Sequence, residues 1–183
     1  MPQPTGGGSK VAAADDRHRL EVAERQLVLV QSFIPRIDAK VSALFAIVSA
    51  QLAVAALNLG PADLPKWYIT VPLAVFLVTI GVTYFNLYRC AYPHLDGGQA
   101  SLVYFAEIAK RRESDFINQY TSITVTDLTN DICGQIWRNS EIASCKFKYL
   151  KIATQYAMAS LVPWAVVLIA TSFSNSRMPI VSG

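Results

Sequence analysis

Apolar positions in this chain gather into three runs that hold no charged residue, at residues 41–60, 67–88 and 152–176, and every Lys and Arg lies outside them. A helix of about 20 residues crosses the roughly 30 Å hydrocarbon core of a bilayer, at about 1.5 Å per residue. Only a helix or a closed barrel can satisfy its backbone polar groups there. A buried helix of a soluble domain normally keeps a polar stripe for water, whereas residues 41–60 offer only Ser42, Ser49, Gln51 and Asn58. The pattern predicts an all-α integral membrane protein with three transmembrane helices: a hairpin over residues 41–88 and a third span over 152–176. Composition agrees, with 52% hydrophobic and 16% charged residues in 183 and a mean hydropathy of +0.32.

The forty residues before the first span are polar, unlike a secretory signal, whose apolar region lies close to the start. Residues 1–14 begin as a Pro/Gly-rich tail too poor in apolar groups to fold, and are expected to be disordered. Asp15 and Asp16 are candidate helix caps, and Leu20, Ala23, Leu27, Val30 and Ile34 recur every three or four positions, so residues 15–40 read as an amphipathic helix. Its mixture of acids and bases fits packing on another helix or subunit better than a membrane-surface anchor, which has a strongly basic face. Pro35 is expected to interrupt or kink it before Arg36, Asp38 and Lys40.

The distribution of cations sets an expected orientation. Six lie in the leader, one (Lys66) between the first two spans, eight in residues 89–151 and one (Arg177) after the third span. Lys and Arg near span ends stay on the cytoplasmic side, so the N-terminus and residues 89–151 are expected in the cytoplasm, and the turn at 60–66 and the tail at 177–183 outside. Clustering at the membrane accounts for the net charge of +3 without a nucleic-acid partner. Cys90, Cys133 and Cys145 form no CxxC pair and all fall in the expected cytoplasmic part, where thiols stay reduced. With only His18 and His94 as histidines and no recognisable nucleophile, acid and base group, neither a metal site nor catalysis is expected.

Within the first span, Ala46, Ala50 and Ala53 belong to a small-residue face that would let another helix approach closely, and Gln51 sits near mid-membrane, where a lone amide typically bonds across a helix interface. Pro72 and Pro163 are expected to kink the second and third spans. The membrane interior holds no ionisable residue to carry protons, and three spans cannot supply inverted repeats, which argues against a transporter.

Residues 89–151 read as a short, mostly helical segment. Tyr92, Pro93 and Asp96-Gly97-Gly98 mark a turn. Residues 101–108 suit a brief strand or the first turns of a helix. Ser114 suits a cap for a helix to about Tyr120, and Thr126 or Asp127 a cap for one long helix rising into the third span.

The runs FIPRIDAKVSALFAI at 33–47, YFAEIAKR at 104–111 and IWRNSEIASCKFKYL at 136–150 together resemble the transmembrane effectors of bacterial Pycsar antiphage systems. So does the order of elements, two spans, a compact cytoplasmic segment and a third span. The resemblance implies an inner-membrane effector without catalytic chemistry. It would respond to cyclic UMP or cyclic CMP made by a partner pyrimidine nucleotide cyclase and impair the membrane, so that the infected cell stops growing.

A cyclic nucleotide needs a cation or backbone amides for its phosphate, an amide for its base edge and often an aromatic for its face. The segment offers Lys110, Arg111, Arg112, Arg138 and Lys146 for phosphate, Asn118, Gln119, Gln135 and Asn139 for the base, and Tyr104, Phe105 or Trp137 for stacking. Against this, Lys146, Lys148 and Lys151 suit snorkelling at the interface, and Lys110 to Arg112 a solvated turn. The common cyclic-nucleotide-binding β-barrel needs about a hundred residues and does not fit. Three spans enclose no water path, so a lesion requires a homo-oligomer. The alternative is a passive oligomeric scaffold that docks a cytoplasmic partner.

Overall fold

The computed structural model describes residues 7–92 and 100–175, and they are helical throughout, with turns between. Five helices follow in order: α1 (Gly7–Asn58), α2 (Trp67–Ala91), α3 (Phe105–Ile108), α4 (Glu113–Ser122) and α5 (Val125–Asn175), with a single 3-10 turn at Pro61–Asp63 between the first two. Three of them are long and apolar enough to cross a membrane, over Ala12–Asn58, Trp67–Ala91 and Val125–Ser174. Residues 1–6, the turn residues Pro93 and Asp96-Gly97-Gly98, and the tail 177–183 lie outside the described residues.

The leader differs from its expected form. α1 starts at Gly7, so residues 7–14 are helical rather than part of a disordered tail, and neither Asp15 nor Asp16 caps anything. Once a helix exists, extending it through Val11 to Ala14 costs little, because Ala is the best helix former. Asp15 instead pairs with Arg19 one turn on, at 2.9 Å. Pro35 does not end the helix either. It lacks one N–H and leaves the Gln31 carbonyl without its usual donor, a local loss that the long flanking turns absorb. The nearby Ser32 hydroxyl turns back to donate to the Leu29 carbonyl at 2.7 Å.

The chain forms two compact units, one from Met1–Arg36 and His94–Ser144 and the other from Ile37–Pro93 and Cys145–Gly183. In the first, Ala23 and Leu27 of α1 pack with Ile132 of α5, flanked by Leu20, Val103, Leu128 and Ile136. This is the apolar face predicted for the leader. α3 is one short helical turn and resolves the choice left open for residues 101–108. α4 follows Arg112 rather than Ser114. At the start of α5, Thr124 Oγ1 accepts the Asp127 N–H at 3.1 Å and donates to the Asp127 carboxylate at 2.6 Å. The cap is therefore Thr124, with Asp127 at the third helical position as its reciprocal partner.

The second unit is a three-helix bundle. Val48 and Ala55 of α1, Phe76, Ile80 and Leu87 of α2, and Ala153 and Ala157 of α5 form its core. Along α1 the inward stripe Ile37, Val41, Leu44, Val48, Gln51 and Ala55 alternates steps of four and three, the seam of left-handed helix packing. Outward, the same helices expose Ile47, Leu57, Val78, Phe85, Val162 and Phe173, apolar groups that a water-facing surface would not collect so densely. Trp67 and Tyr68 at one end of α2 and Tyr88 and Tyr92 at the other are exposed. Tyr68 and Tyr88 stand about 30 Å apart along the helix, the separation of two interfacial aromatic belts.

Lipid tails are as apolar as the side chains, so packing and interhelical polar contacts hold such a bundle. Such interhelical contacts are present in the bundle. Midway, Trp164 Nε1 donates to the Gln51 carbonyl at 3.0 Å, and the Ser160 hydroxyl approaches Gln51 Oε1 at 3.4 Å. Closer to Asp38, Ser49 and Tyr84 share a hydroxyl bond at 2.9 Å. Thr83, Asn86 and Thr171 bond carbonyls of their own helices, which lets a polar side chain sit in hydrocarbon without a partner helix.

Candidate functional site

In the first unit, the loop entering α3 is a clamped structure built around Ala100 to Tyr104. Ala100 has a φ of 63°, a left-handed conformation costly for a residue with a Cβ. Both its backbone groups are held: its N–H donates to Glu107 Oε2 at 3.2 Å, and its carbonyl accepts Arg111 Nη2 at 2.5 Å. Arg111 Nη1 also reaches the Ser101 carbonyl at 3.1 Å. The Ser101 hydroxyl accepts the Val103 and Tyr104 N–H groups, and Asp131 of α5 accepts the Leu102 N–H at 2.7 Å. Lys110 Nζ bonds Glu107 Oε1 at 2.5 Å. Lys110, and after it the Ala100 N–H, hold the Glu107 carboxyl below its usual range.

Each cation proposed for a phosphate therefore has a stated place. Lys110 is paired with Glu107 and otherwise exposed, Arg111 is spent on two carbonyls, and Arg112 is exposed beside the start of α4. Arg138 Nη1 pairs with Glu141 at 2.9 Å, while its Nε is buried with no hydrogen-bond partner. Asn139 Nδ2 donates to the Gln135 carbonyl one turn back, at 2.8 Å. Among the base readers and stacking residues, Gln135 is buried, whereas Asn118, Gln119, Phe105 and Trp137 are exposed. No two of the six ligand candidates bond each other. Lys146 belongs to the second unit and the other five to the first.

Lys146 is 6% exposed, and its Nζ donates to Asp38 Oδ1 at 2.6 Å. The Cys90 thiol donates to the Lys146 carbonyl at 3.2 Å, so α1, α2 and α5 meet at this level. One turn further along α5, the Tyr149 hydroxyl accepts a bond from Arg89 at 3.0 Å, and its ring lies under the guanidinium. Sequence reasoning noted Asp38 and Lys146 separately and did not join them, because nothing in sequence spacing links residues 108 positions apart.

At the other end of the bundle, Asp63 was missed altogether. It is 2% exposed. Its carboxylate accepts the Gly60 N–H at 3.1 Å, Lys66 Nζ at 2.8 Å and the Ser174 hydroxyl of α5 at 3.0 Å. Lys66 also bonds Ser174. Lys66, then the Gly60 N–H and Ser174, hold the Asp63 carboxyl below its usual range. The available signal was Asp63 three residues before Lys66 in a turn opened by Gly60-Pro61.

Of the assembly candidates, Gln51 is buried between α1 and α5, while Ala46, Ala50 and Ala53 face outward. Among the described residues, no group of three His, Cys, Asp or Glu side chains is placed to hold a metal ion.

No curated protein and no solved structure matches the chain. A family model does: the Pycsar effector protein domain, PycTM, matches residues 22–171. That interval takes in α2, most of α1 and α5, the Ala100–Tyr104 clamp and both buried charges, and with them most of the chain: this protein belongs to the Pycsar transmembrane effector family.

Proposed function

We propose that the chain is the membrane-acting component of a Pycsar antiphage system, triggered by a cyclic pyrimidine nucleotide from a partner cyclase and acting by impairing the inner membrane without catalytic chemistry. The family match over residues 22–171 carries this reading; the three membrane-crossing helices support it. The asymmetry of Lys and Arg supports an orientation with the N-terminus and the first unit in the cytoplasm and the 60–66 turn in the periplasm. The first unit is then where a soluble nucleotide arrives. There Arg112 and Arg138 are the best placed of the candidate cations, because Arg111 is committed to the Ala100 and Ser101 carbonyls.

Three helices enclose no aqueous path, so the lesion needs several copies. Ala39, Ala43, Ala46, Ala50 and Ala53 form an exposed stripe spaced by four and three, matched to close helix approach in a bilayer. This reading makes it the contact between copies.

The test is reconstitution in liposomes that hold a quenched dye. Dye release on adding cyclic UMP or cyclic CMP, with purine cyclic nucleotides inert, is the expected result. Arg138→Ala should raise the nucleotide requirement about tenfold, the loss expected of one charge-assisted contact. Vesicles that stay tight with every nucleotide, with the protein inserted and folded, would instead favour the docking scaffold.

A further inference from the structure

Asp63 and Lys146 are the two charged residues buried among the described ones, and they mark opposite ends of the three-helix bundle. Their surroundings differ in kind. Asp63 sits in a closed network, with a backbone N–H, an ammonium and a hydroxyl all on one carboxylate. Lys146 depends on a single carboxylate, and the Asp38 side chain is 48% exposed. The other four ion pairs of the described residues join positions three or four apart on one segment; this one ties α1 to α5.

A buried ammonium whose one counter-charge is half open to water has two states available. Either the pair is made and Lys146 stays in the seam, or the pair is broken and the stranded ammonium is costly to keep there, which drives it toward water. The spacing of the α5 stripe changes at the same residue. Gln135, Asn139, Ile142, Lys146, Leu150, Ala153 and Ala157 step by four, three, four, four, three and four, so two steps of four meet at Lys146. A repeated step of four locally unwinds a seam that otherwise follows the seven-residue period. Asp38 and Lys146 also follow closely on Arg36 and Ser144, where α1 and α5 leave the first unit.

We propose that the Asp38–Lys146 ion pair is the releasable latch of the resting state, holding the Asp38 end of the α1/α5 seam shut while the Asp63 network keeps the opposite end fixed. The latch rests on the membrane-effector reading above and adds its regulation: triggering opens the bundle by breaking this pair. Losing either charge removes the latch, and exchanging the two restores it.

Dye-filled liposomes carrying wild type, Asp38→Asn, Lys146→Met, the exchanged pair Asp38→Lys with Lys146→Asp, and the neutral pair Asp38→Leu with Lys146→Met decide the matter. Basal leak is read first, then release against added cyclic UMP and cyclic CMP. The latch predicts that each single variant leaks about tenfold or more above wild type without nucleotide, that the exchanged pair returns to the wild-type value, and that the neutral pair, with no charge to strand in the seam, needs about tenfold more nucleotide than wild type. The neutral pair leaves no unpaired buried charge, so it remains informative if a single variant fails to insert. A wild type that responds to nucleotide beside variants with unchanged leak and unchanged nucleotide requirement overturns the latch and leaves the effector reading standing. Leaky variants beside a wild type silent to both nucleotides support the latch and overturn the trigger. Tight vesicles in every case overturn both.

Discussion

Asp63 shows how one side chain in a turn can fix the end of a membrane bundle. Its carboxylate gathers the Gly60 backbone, Lys66 and Ser174 of α5, so the α1–α2 turn and the last turn of α5 share one acceptor. Asp63→Asn keeps the shape and removes the charge, and it should lower the thermal midpoint of the detergent-solubilised protein at neutral pH. The sign with pH follows from the depressed folded value. The carboxylate's contribution is complete above the unfolded value near 3.9 and is lost as pH falls through the lower folded one. Thermal scans at a series of pH values should show the gap between wild type and Asp63→Asn closing below the ordinary carboxylate range; a gap that stays constant would remove the charge from the account. Gln51 was visible in the sequence as an amide in mid-membrane, but the partner of its side chain, the Ser160 hydroxyl of α5, was not. A side chain announces that it needs a bond, while the residue that supplies it is set by tertiary packing.

Among the elements, the long ones were legible and their boundaries were not. The three charge-free runs, the apolar positions from Leu20 to Ile34, and the lack of a breaker before Pro163 all declare helices, because length and periodicity accumulate over many residues. Caps and prolines are single-residue signals, and tertiary context outvotes them. Pro35 lies inside α1 rather than interrupting it, and Thr124 takes the capping place that local pattern offered to Thr126 or Asp127. The cap has a measurable weight. Thr124→Ala should destabilise the start of α5 by about 1 kcal/mol, seen as faster amide hydrogen exchange over its first turn, with exchange in α2 unchanged. The clamp at Ala100 was equally hidden: a left-handed alanine held by Glu107 and Arg111 has no sequence signature. As one of the segment's cations Arg111 was a candidate for phosphate, whereas the fold commits it to backbone carbonyls.

For the molecule as a whole, the family and the membrane architecture could be read from order and composition, since both are spread over the chain. No nucleotide pocket could be read, because the candidate residues are dispersed and each already has a local partner or faces solvent. In the proposed reading, assembly of several copies gives the architecture its consequence for a bilayer. Ala46→Leu, Ala50→Leu and Ala53→Leu each enlarge the outward stripe and leave the inward one, Val48, Gln51 and Ala55, untouched. Cross-linking in membranes should therefore lose its higher-order bands in these variants while monomer insertion persists; bands of unchanged intensity would place the contact elsewhere. The central claim, a membrane effector that acts when a cyclase supplies its nucleotide, is tested most directly by membrane potential, followed with a voltage-sensitive dye in cells expressing this chain with a pyrimidine cyclase. Depolarisation that requires both proteins, and that disappears with a catalytically dead cyclase, is the predicted result. A potential that holds steady while the chain is inserted and the nucleotide is present would contradict it.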